Sequence, residues 1–256
     1  MSDAAPGRFI WYDLLTGNPS SAIPFYSHVI GWTPEPWQSG YTMFVGSQGP
    51  VGGTAQMPEA IRKMGVPPHW TSNVQVTDVD ATVALVRKLG GRVHIEPSDY
   101  PEVGRLAVIG DPQGASINVF KPNDPVKLHD STKPGEFNWH ELVTIDHESA
   151  FVFYSKLFGW EKLRDFDMGP MGKYLIYGSG SQELGGMFTK PKEMKNPPFW
   201  LYYVQVADLD AALERAKAKG ARLLNGPMEV PGGARIVQLA DPEGALFALL
   251  EEAKKP

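Results

Sequence analysis

The sequence predicts an α+β fold in which four βαβββ modules pair into two domains. One observation is a long repeat, because the stretch "FIWYDLLTGNPSSAIPFYSHVIGW" that begins at Phe9 returns as "FNWHELVTIDHESAFVFYSKLFGW" at Phe137. The motif "DPQGA" at Asp111 returns at nearly the same interval, as "DPEGA" at Asp241. Within each half, an extended run, a capping residue, an amphipathic helix and several short apolar runs occur twice. Such self-similarity indicates two homologous halves of two modules each.

Four amphipathic helices are expected, each following an extended run and a residue that can cap a helix. In the first, Asn18 can cap the helix and Pro19 suits its first position. Gly90 and Gly220 lie where left-handed C-terminal caps are expected. The caps expected for the other three helices are Asp78, Asp146 and Asp208. The four regions of strand plus helix are residues 9–32, 71–91, 138–160 and 200–220.

Short apolar runs separated by Gly and Pro follow each helix, and their lengths suit strands. In the first half these runs include "YTMFVG", "GGTAQM", "RLAVIG" and "SINVF". The polar segment "KPNDPVKLHDSTKPGEF" at residues 121–137 contains three prolines, which favours a domain boundary there. We expect a first domain at residues 8–125, a linker at 126–133 and a second domain at 134–252.

The composition indicates a globular protein and excludes several classes of partner and site. Hydrophobic residues make up 42% and charged residues 21% of the chain, and the net charge of −5 argues against nucleic acid as a partner. Cys is absent, which excludes disulfides, thiolate nucleophiles and cysteine-bound metals. The N-terminus lacks the apolar core of a signal peptide, and no run is long enough to cross a membrane. We therefore expect a soluble cytoplasmic protein that does not bind membranes.

Several motifs resemble those of the vicinal oxygen chelate superfamily, which contains glyoxalases, bleomycin-resistance proteins and ring-cleaving dioxygenases. The resemblance lies in the pattern "D…A..FY…FGW" at 146–160, "VTDVDA" at 76–81, "GRLAVIGDPQGA" at 104–115 and "ARIVQLADPEGA" at 234–245. The chain is most similar to two-domain bacterial members described as glyoxalase-like or hydroxylase-like. The resemblance implies that the modules pair into two glyoxalase-like domains with ligand cups. It does not fix the activity, because this fold hosts many functions.

The resemblance also implies positions for a metal ion. Metal-using members have a His on the first strand of a module, seven residues before the helix cap, and a Glu on the last strand. The matching first-strand positions here hold Trp11, Thr71, Trp139 and Leu201. The matching last-strand positions, seven residues after each "DPxG" aspartate, hold Asn118 and Ala248. A divalent ion needs several converging nitrogen or oxygen donors, so we expect neither the standard metal site nor a cofactor.

A Trp-x-acid pair in each half provides the first candidates for a ligand site. Alternation along the first strand places Asp13 on the same face as Trp11. Alternation along the corresponding strand of the second half places Glu141 on the same face as Trp139. A carboxylate among aromatic side chains can accept a hydrogen bond, hold a cation or act as a general base. The alternative is that each acid pairs with a basic residue and only stabilises the fold.

Other polar residues are expected beside these acids. Asn73 and Tyr203 lie five residues before their helix caps, in the same phase as the two acids. Arg105 and Arg235 recur at matching places, where an Arg–carboxylate pair across the barrel is the structural alternative. The predicted ligand-binding residues are Trp11, Trp139, Asn73, Tyr203, Asn118, Arg105 and Arg235. Aromatic walls with a few polar groups suit a small, partly apolar ligand.

If the protein is an enzyme, Asp13 and Glu141 are its predicted catalytic residues. The positions expected beside Asp13 hold the polar residues Thr71, Asn73 and Asn118, which favours an ionised carboxylate. The positions expected beside Glu141 hold Leu201, Tyr203 and Ala248. Burial in these more apolar surroundings favours the protonated acid, unless Arg235 reaches Glu141. We therefore expect any proton transfer to involve Glu141, whereas Asp13 would orient a ligand or form an ion pair.

Three functions remain open from the sequence. The first is a small-molecule binding protein of the glyoxalase and bleomycin-resistance type that lacks the usual metal ligands. The second is a glyoxalase-like or hydroxylase-like enzyme, either metal-free or with nonstandard ligands. The third is a degenerate paralogue that acts through protein–protein contacts. Because four modules can complete the architecture within one chain, we expect a monomer or a weak homodimer.

Overall fold

The fold consists of the four βαβββ modules that the sequence predicts. A computed structural model of the chain describes residues 3–38 and 40–253. The elements of the first half are β1 (Phe9–Thr16), α1 (Pro19–Ile30), β2 (Thr33–Pro36), β3 (Tyr41–Gly46), β4 (Gly49–Gln56), α2 (Glu59–Lys63), β5 (His69–Gln75), α3 (Val79–Lys88), β6 (Arg92–Tyr100), β7 (Gly104–Gly110) and β8 (Ser116–Pro122). Those of the second half are β9 (Phe137–Thr144), α4 (His147–Phe158), β10 (Glu161–Asp167), the 3₁₀ turn Gly169–Met171, β11 (Lys173–Ser179), β12 (Gln182–Thr189), β13 (Phe199–Gln205), α5 (Leu209–Ala218), β14 (Arg222–Glu229), β15 (Arg235–Ala240) and β16 (Leu246–Glu251).

The long helices begin where the capping residues predict. The Asn18 side chain accepts the N–H of Ser21, and Pro19 is the first residue of α1. The side chains of Asp78, Asp146 and Asp208 accept N–H groups in the first turns of α3, α4 and α5. Gly90 and Gly220 follow α3 and α5 with φ of 82° and 89°, which confirms their left-handed conformation. Helix α2 is not predicted, because five residues are too few to show a helical period.

Two eight-stranded mixed sheets form, one from each half of the sequence. The strand order is β2-β3-β4-β1-β5-β8-β7-β6 in the first sheet and β10-β11-β12-β9-β13-β16-β15-β14 in the second. The first strand of every module runs parallel to the last strand of the same module. The other described pairings are antiparallel. The α+β class with two glyoxalase-like sheets is therefore confirmed.

The Gly-Gly pairs at 52–53 and 185–186 allow close packing between parallel strands. A Cβ atom at Gly52 would overlap the carbonyl oxygen of Tyr12, and one at Gly185 would overlap that of His140. Only glycine fits at these two positions, because the obstacle is backbone on the neighbouring strand.

The chain forms two compact units, and each unit contains segments from both halves of the sequence. The first comprises the residues up to Trp11 together with Ser72–Leu128 and Trp139–Leu201. The second comprises Tyr12–Thr71, His129–Asn138 and the residues from Tyr202 onward. Two modules from different halves thus supply most of each unit. The domain boundaries proposed from the repeat, 8–125 and 134–252 with a linker at 126–133, stay a prediction.

A buried chain of hydrogen bonds lies in the core of the first unit. The indole N–H of Trp200 donates to the hydroxyl of Tyr154, which donates to Asp111 Oδ2, both at 3.2 Å. Asp111 Oδ1 accepts backbone N–H groups of the "DPQGA" turn, including that of Gly114 at 2.7 Å. Burial raises the pKa of Asp111, while these hydrogen bonds oppose the effect. The "DPxG" aspartate therefore fixes its own turn and also binds a helix of the other half.

The second unit contains the equivalent chain. The indole N–H of Trp70 donates to Tyr26, and Tyr26 donates to Asp241 Oδ2, both at 2.9 Å. Asp241 Oδ1 accepts the backbone N–H of Ala245 at 2.9 Å. Burial likewise raises the pKa of Asp241 and that of the Tyr26 hydroxyl. The helix tyrosines are core residues, and their hydroxyl groups also link the two halves of the sequence.

Trp32 and Trp160 also lie in the cores of their units. Each side chain is 2% exposed. The indole N–H of Trp32 donates to the carbonyl of Gly135, and that of Trp160 donates to the carbonyl of Gly7, both at 2.8 Å. A buried Trp thus has its single polar group satisfied, which burial requires.

Candidate functional site

Glu141 lies in a cluster formed by three strands of the first unit. It is 7% exposed on β9, two residues after the half-buried Trp139. The hydroxyl of Tyr174, on β11, donates to Glu141 Oε2 at 2.9 Å. The same hydroxyl accepts the indole N–H of Trp139 at 2.8 Å. We call Trp139, Glu141, Tyr174 and Gly186 the Glu141 cluster.

Gly186 makes this arrangement possible. Strand register places Gly186 on β12 directly beside Glu141. A Cβ atom at Gly186 would overlap the ring of Tyr174, so the ring occupies the space above the glycine. From there the Tyr174 hydroxyl reaches across β12 to the acid on β9. A glycine, a tyrosine and an acid on three neighbouring strands therefore act as one structural group.

The direction of the hydrogen bonds in the cluster is set by chemistry. An indole N–H can only donate, so Trp139 donates to the oxygen of Tyr174. The hydroxyl hydrogen of Tyr174 then points to Glu141 Oε2, which accepts it. Donation to a carboxyl oxygen stabilises the ionised form and opposes the effect of burial. Glu141 therefore has one oxygen that is held as an acceptor.

Aromatic side chains extend the cluster across the same face of the sheet. Phe188 is the register partner of Tyr174 on β12, and their ring centroids lie 6.0 Å apart at an interplanar angle of 23°. Phe166 is the register partner of Tyr174 on the other side, at edge strand β10, and it is 39% exposed. Register partners on neighbouring strands share a face. Phe166, Tyr174 and Phe188 thus form a row of aromatic side chains.

Asp13 lies in an equivalent cluster in the second unit. The hydroxyl of Tyr41, on β3, donates to Asp13 Oδ1 at 2.6 Å. Gly53 is the register partner of Asp13 on β4, and a Cβ atom there would overlap the ring of Tyr41. The ring of Trp37 lies edge-on to that of Tyr41 at 5.8 Å. We call Asp13, Tyr41 and Gly53 the Asp13 cluster. Trp11, two residues before Asp13, is half-buried.

Two predicted polar residues of the first unit contact each other directly. Asn73 and Asn118 are register partners on β5 and β8. They are 3% and 5% exposed, and Asn118 Nδ2 donates to Asn73 Oδ1 at 3.2 Å. The position where the family resemblance implies a metal-binding Glu is therefore held by an amide that bonds to another amide.

Tyr203, in the second unit, has a partner that the sequence does not reveal. Its hydroxyl accepts a hydrogen bond from Gln238 Nε2 at 2.7 Å. Both residues are register partners of Ala248, so the glutamine on β15 reaches past the small alanine side chain. The residue thus joins a polar pair on the sheet, as Asn73 does.

The two predicted arginines form ion pairs near the ends of helices. Arg105 pairs with Asp80 on α3 at 2.7 Å and with Asp99 on β6 at 2.8 Å. Arg235 pairs with Asp210 on α5 at 2.9 Å. Hydrogen bonds to these aspartates raise the pKa of both guanidinium groups. The aspartates of these three ion pairs are mostly exposed, so each pair stabilises the fold only weakly. A role of Arg105 or Arg235 in ligand binding stays a prediction.

Histidines do not supply a metal site in the described part of the chain. Among residues 3–38 and 40–253, no three His, Asp or Glu side chains converge in a way that could hold a metal ion. His140 neighbours Trp139 but packs on Phe9, with ring centroids 3.7 Å apart. Its Nδ1 lies 2.6 Å from the carbonyl oxygen of Leu184, and burial lowers the pKa of His140 to about 3. The ring is therefore neutral at physiological pH.

Sequence reasoning missed the residues that contact the two acids. The interval in sequence from Tyr41 to Tyr174 is the same as the interval from Gly53 to Gly186. This shared spacing is the signal that could have linked each tyrosine to its glycine. Gln238 has no such signal, because its contact with Tyr203 depends on the register of β15.

Comparison with known proteins agrees with this architecture. A family described as glyoxalase, bleomycin resistance protein and dioxygenase superfamily matches residues 136–249, and a glyoxalase-like domain family matches residues 10–120. The Mn(II)-bound glyoxalase from Novosphingobium aromaticivorans aligns with a TM-score of 0.66 at 16% identity, over 99% of this chain and 84% of that one. At such low identity the likeness shows the fold alone.

Two relatives are similar in sequence along nearly the whole chain. CFP32 of Mycobacterium tuberculosis, a provisionally assigned glyoxylase, is 32% identical over 98% of this chain and 97% of its own length. The anthracycline biosynthesis protein DauV of Streptomyces sp. strain C5 is 31% identical over 98% of this chain and 95% of its own. In the described part of the chain, no helix has the length and apolar character that a membrane span needs.

The two family matches and these two relatives show that this protein belongs to the glyoxalase, bleomycin-resistance and dioxygenase superfamily.

Proposed function

We propose that the protein binds a small planar organic molecule without a divalent metal, and that the Glu141 cluster is a binding site. The observation that carries the proposal is the Trp139–Tyr174–Glu141 hydrogen-bond chain, which holds a buried carboxylate oriented among aromatic rings. Aromatic side chains with a few fixed polar groups are typical of small-molecule sites. The Asp13 cluster, which has the same acid, tyrosine and glycine, is the second candidate site.

The name of one relative supports an aromatic ligand. DauV is named for the biosynthesis of anthracyclines, which are polycyclic aromatic compounds. A planar ring system can stack on the row formed by Phe166, Tyr174 and Phe188. The carboxyl group of Glu141 can then accept a hydrogen bond from a polar substituent on such a ring.

The donor chemistry does not fit the metal site of the family. Trp11, Trp139 and Leu201 have no metal-binding atoms, and Thr71 offers a hydroxyl group only. Asn118 donates its amide group to Asn73. Divalent metals in proteins prefer imidazole nitrogens and carboxylate oxygens, which these positions lack. This supports a function that does not depend on a bound metal.

The test combines metal analysis with a binding titration. Purified, dialysed protein is analysed for Zn, Ni, Mn and Fe, and 2-naphthylmethanol is then titrated by calorimetry with and without EDTA. We expect substoichiometric metal and saturable binding that EDTA does not change. A stoichiometric metal that survives dialysis, or binding that EDTA abolishes, would contradict the proposal.

A second candidate function is an enzymatic one, favoured by the similarity to a provisionally assigned glyoxylase. In that case Glu141 would act as a general base or acid, because Tyr174 holds it in a fixed orientation. Turnover of the hemithioacetal of methylglyoxal and glutathione measures this activity. Turnover that Glu141→Gln abolishes while the thermal midpoint is unchanged would favour the enzyme. Absence of turnover in wild-type protein would favour binding alone.

A further inference from the structure

We infer that the ligand of the Glu141 cluster is a protonated amine attached to an aromatic ring. The inference rests on the proposed function and specifies the charge of the ligand. It comes from the combination of one carboxyl group, which is 7% exposed, with aromatic rings on the same face of the sheet. A ligand for this surface must satisfy both kinds of group at once.

The first step of the argument concerns the acid. Trp139 donates to Tyr174, and Tyr174 donates to Glu141, so both hydrogen bonds are directed toward the carboxyl group. Hydrogen bonds in such a chain polarise one another and stabilise negative charge on the acid that accepts them. A cationic donor gains more from an ionised acceptor than a neutral donor does, because charge-assisted hydrogen bonds are about twice as strong.

The second step concerns the rings. Flat ring systems pack favourably against aromatic side chains, in offset-stacked or edge-on arrangements. The Tyr174 hydroxyl lies 2.9 Å from Glu141 Oε2, so a ligand bound to this acid also lies beside the Tyr174 side chain. The ring of the ligand can then extend toward Phe188, whose centroid lies 6.0 Å from that of Tyr174. The carboxylate thus favours a cationic group on the ligand, and the rings favour an aromatic one.

A matched pair of probes tests this inference. 2-Naphthylmethylamine, which is protonated at pH 7, and 2-naphthylmethanol share one ring system and differ mainly in charge. Both are titrated into wild-type protein, Glu141→Gln and Asp13→Asn. Glu214→Gln is the control, because this glutamate is 72% exposed on α5 and pairs with Lys217. If circular dichroism shows that Glu141→Gln does not fold, Tyr174→Phe replaces it.

In wild-type protein the amine should bind about tenfold more tightly than the alcohol, which corresponds to about 1.4 kcal/mol. Glu141→Gln should bring this ratio near one while the alcohol still binds, and Tyr174→Phe should lower it about threefold. Glu214→Gln should leave the ratio unchanged. Equal affinities in wild-type protein would overturn the inference and leave the proposed function intact. A preference that survives Glu141→Gln but not Asp13→Asn would overturn the assignment to this cluster. Binding of neither probe would overturn both proposals.

Discussion

The hydroxyl group of Tyr174 links β11 to β9, because it accepts a hydrogen bond from Trp139 and donates one to Glu141. Removing it takes this partner away from a part-buried indole N–H and from a carboxyl oxygen. The ring itself can stay in place, because it rests on Gly186. Tyr174 is therefore a positioning residue whose contribution can be measured separately from its packing.

Tyr174→Phe should lower the free energy of unfolding by about 1–3 kcal/mol, the range found when buried polar groups lose a partner. The thermal midpoint should fall by several degrees, since a change of 1 kcal/mol shifts a chain of this size by roughly 2–4 °C. Thermal unfolding followed by circular dichroism measures the effect. Tyr100→Phe is the matched control, because Tyr100 is 46% exposed on β6. Equal midpoints for the two variants would show that the hydrogen-bond chain adds no stability.

Gly186→Ala should displace the Tyr174 ring, because the new Cβ atom would overlap it. We expect a loss of stability and of probe binding, and Tyr174→Ala in the same chain should recover part of the stability by removing the clash. Gly17→Ala is the control, because no atom lies within 4 Å of a Cβ atom built there. Urea unfolding of the two single variants and of the double variant completes a double-mutant cycle. Additive effects of Gly186→Ala and Tyr174→Ala would contradict the proposed contact.

At the scale of elements, strand alternation and helix capping were predictable from local sequence. Asp13 and Trp11 alternate with buried residues, and Asp146 caps α4 within its own first turn. The hydrogen bonds of Tyr41 and Tyr174 were not predictable in the same way. They depend on which strands become neighbours, and β3 and β11 reach the acids only across a third strand. The local sequence pattern predicts which residues of a strand share a face, but it does not predict the order of the strands in the sheet.

The buried aspartates of the "DPxG" turns should make stability depend on pH. Burial raises the pKa of Asp241, so the folded protein keeps this proton at pH values where the unfolded chain has released it. The contribution of this group to stability is therefore present at low pH and is lost as the pH rises through the folded pKa. In Asp241→Asn the group no longer titrates, so the stability of the variant relative to wild type should improve as the pH rises.

Urea unfolding at a series of values between about pH 4 and pH 7 measures this difference. Asp111→Asn should behave in the same way, because burial also raises the pKa of Asp111. A constant offset between variant and wild type across the series would show that neither aspartate titrates differently in the folded protein.

At the scale of the whole molecule, the repeat predicts four modules but not which of them share a core. Tyr26 and Tyr154 are equivalent in the repeat, and so are Asp111 and Asp241. The sequence is equally compatible with pairing Tyr26 to the aspartate of its own half. The structure pairs it with Asp241, and it pairs Tyr154 with Asp111. Because the alternatives contain the same residue types, only the arrangement of the sheets distinguishes them.

Separate halves of the chain should not fold as monomers. A fragment of residues 1–133 contains Tyr26 and Trp70 but lacks Asp241 and Phe247, which contact Tyr26 in the second unit. We expect this fragment and residues 134–256 to be unfolded or self-associated alone and to regain near-ultraviolet circular dichroism when mixed. Sedimentation and urea unfolding measure both properties. A monomeric fragment with cooperative unfolding would instead show that each of the two domains predicted from the repeat folds independently.

The most direct test of the metal-free site is ¹⁹F nuclear magnetic resonance of protein labelled with 5-fluorotryptophan. The chain has seven tryptophans, and Trp139→Phe identifies the signal of the one that donates to Tyr174. 2-Naphthylmethylamine is then added in the presence of EDTA. We expect the Trp139 signal to shift saturably while that of the buried Trp160 stays fixed. A Trp139 signal that does not move while the amine binds would contradict the assignment of the ligand site to the Glu141 cluster.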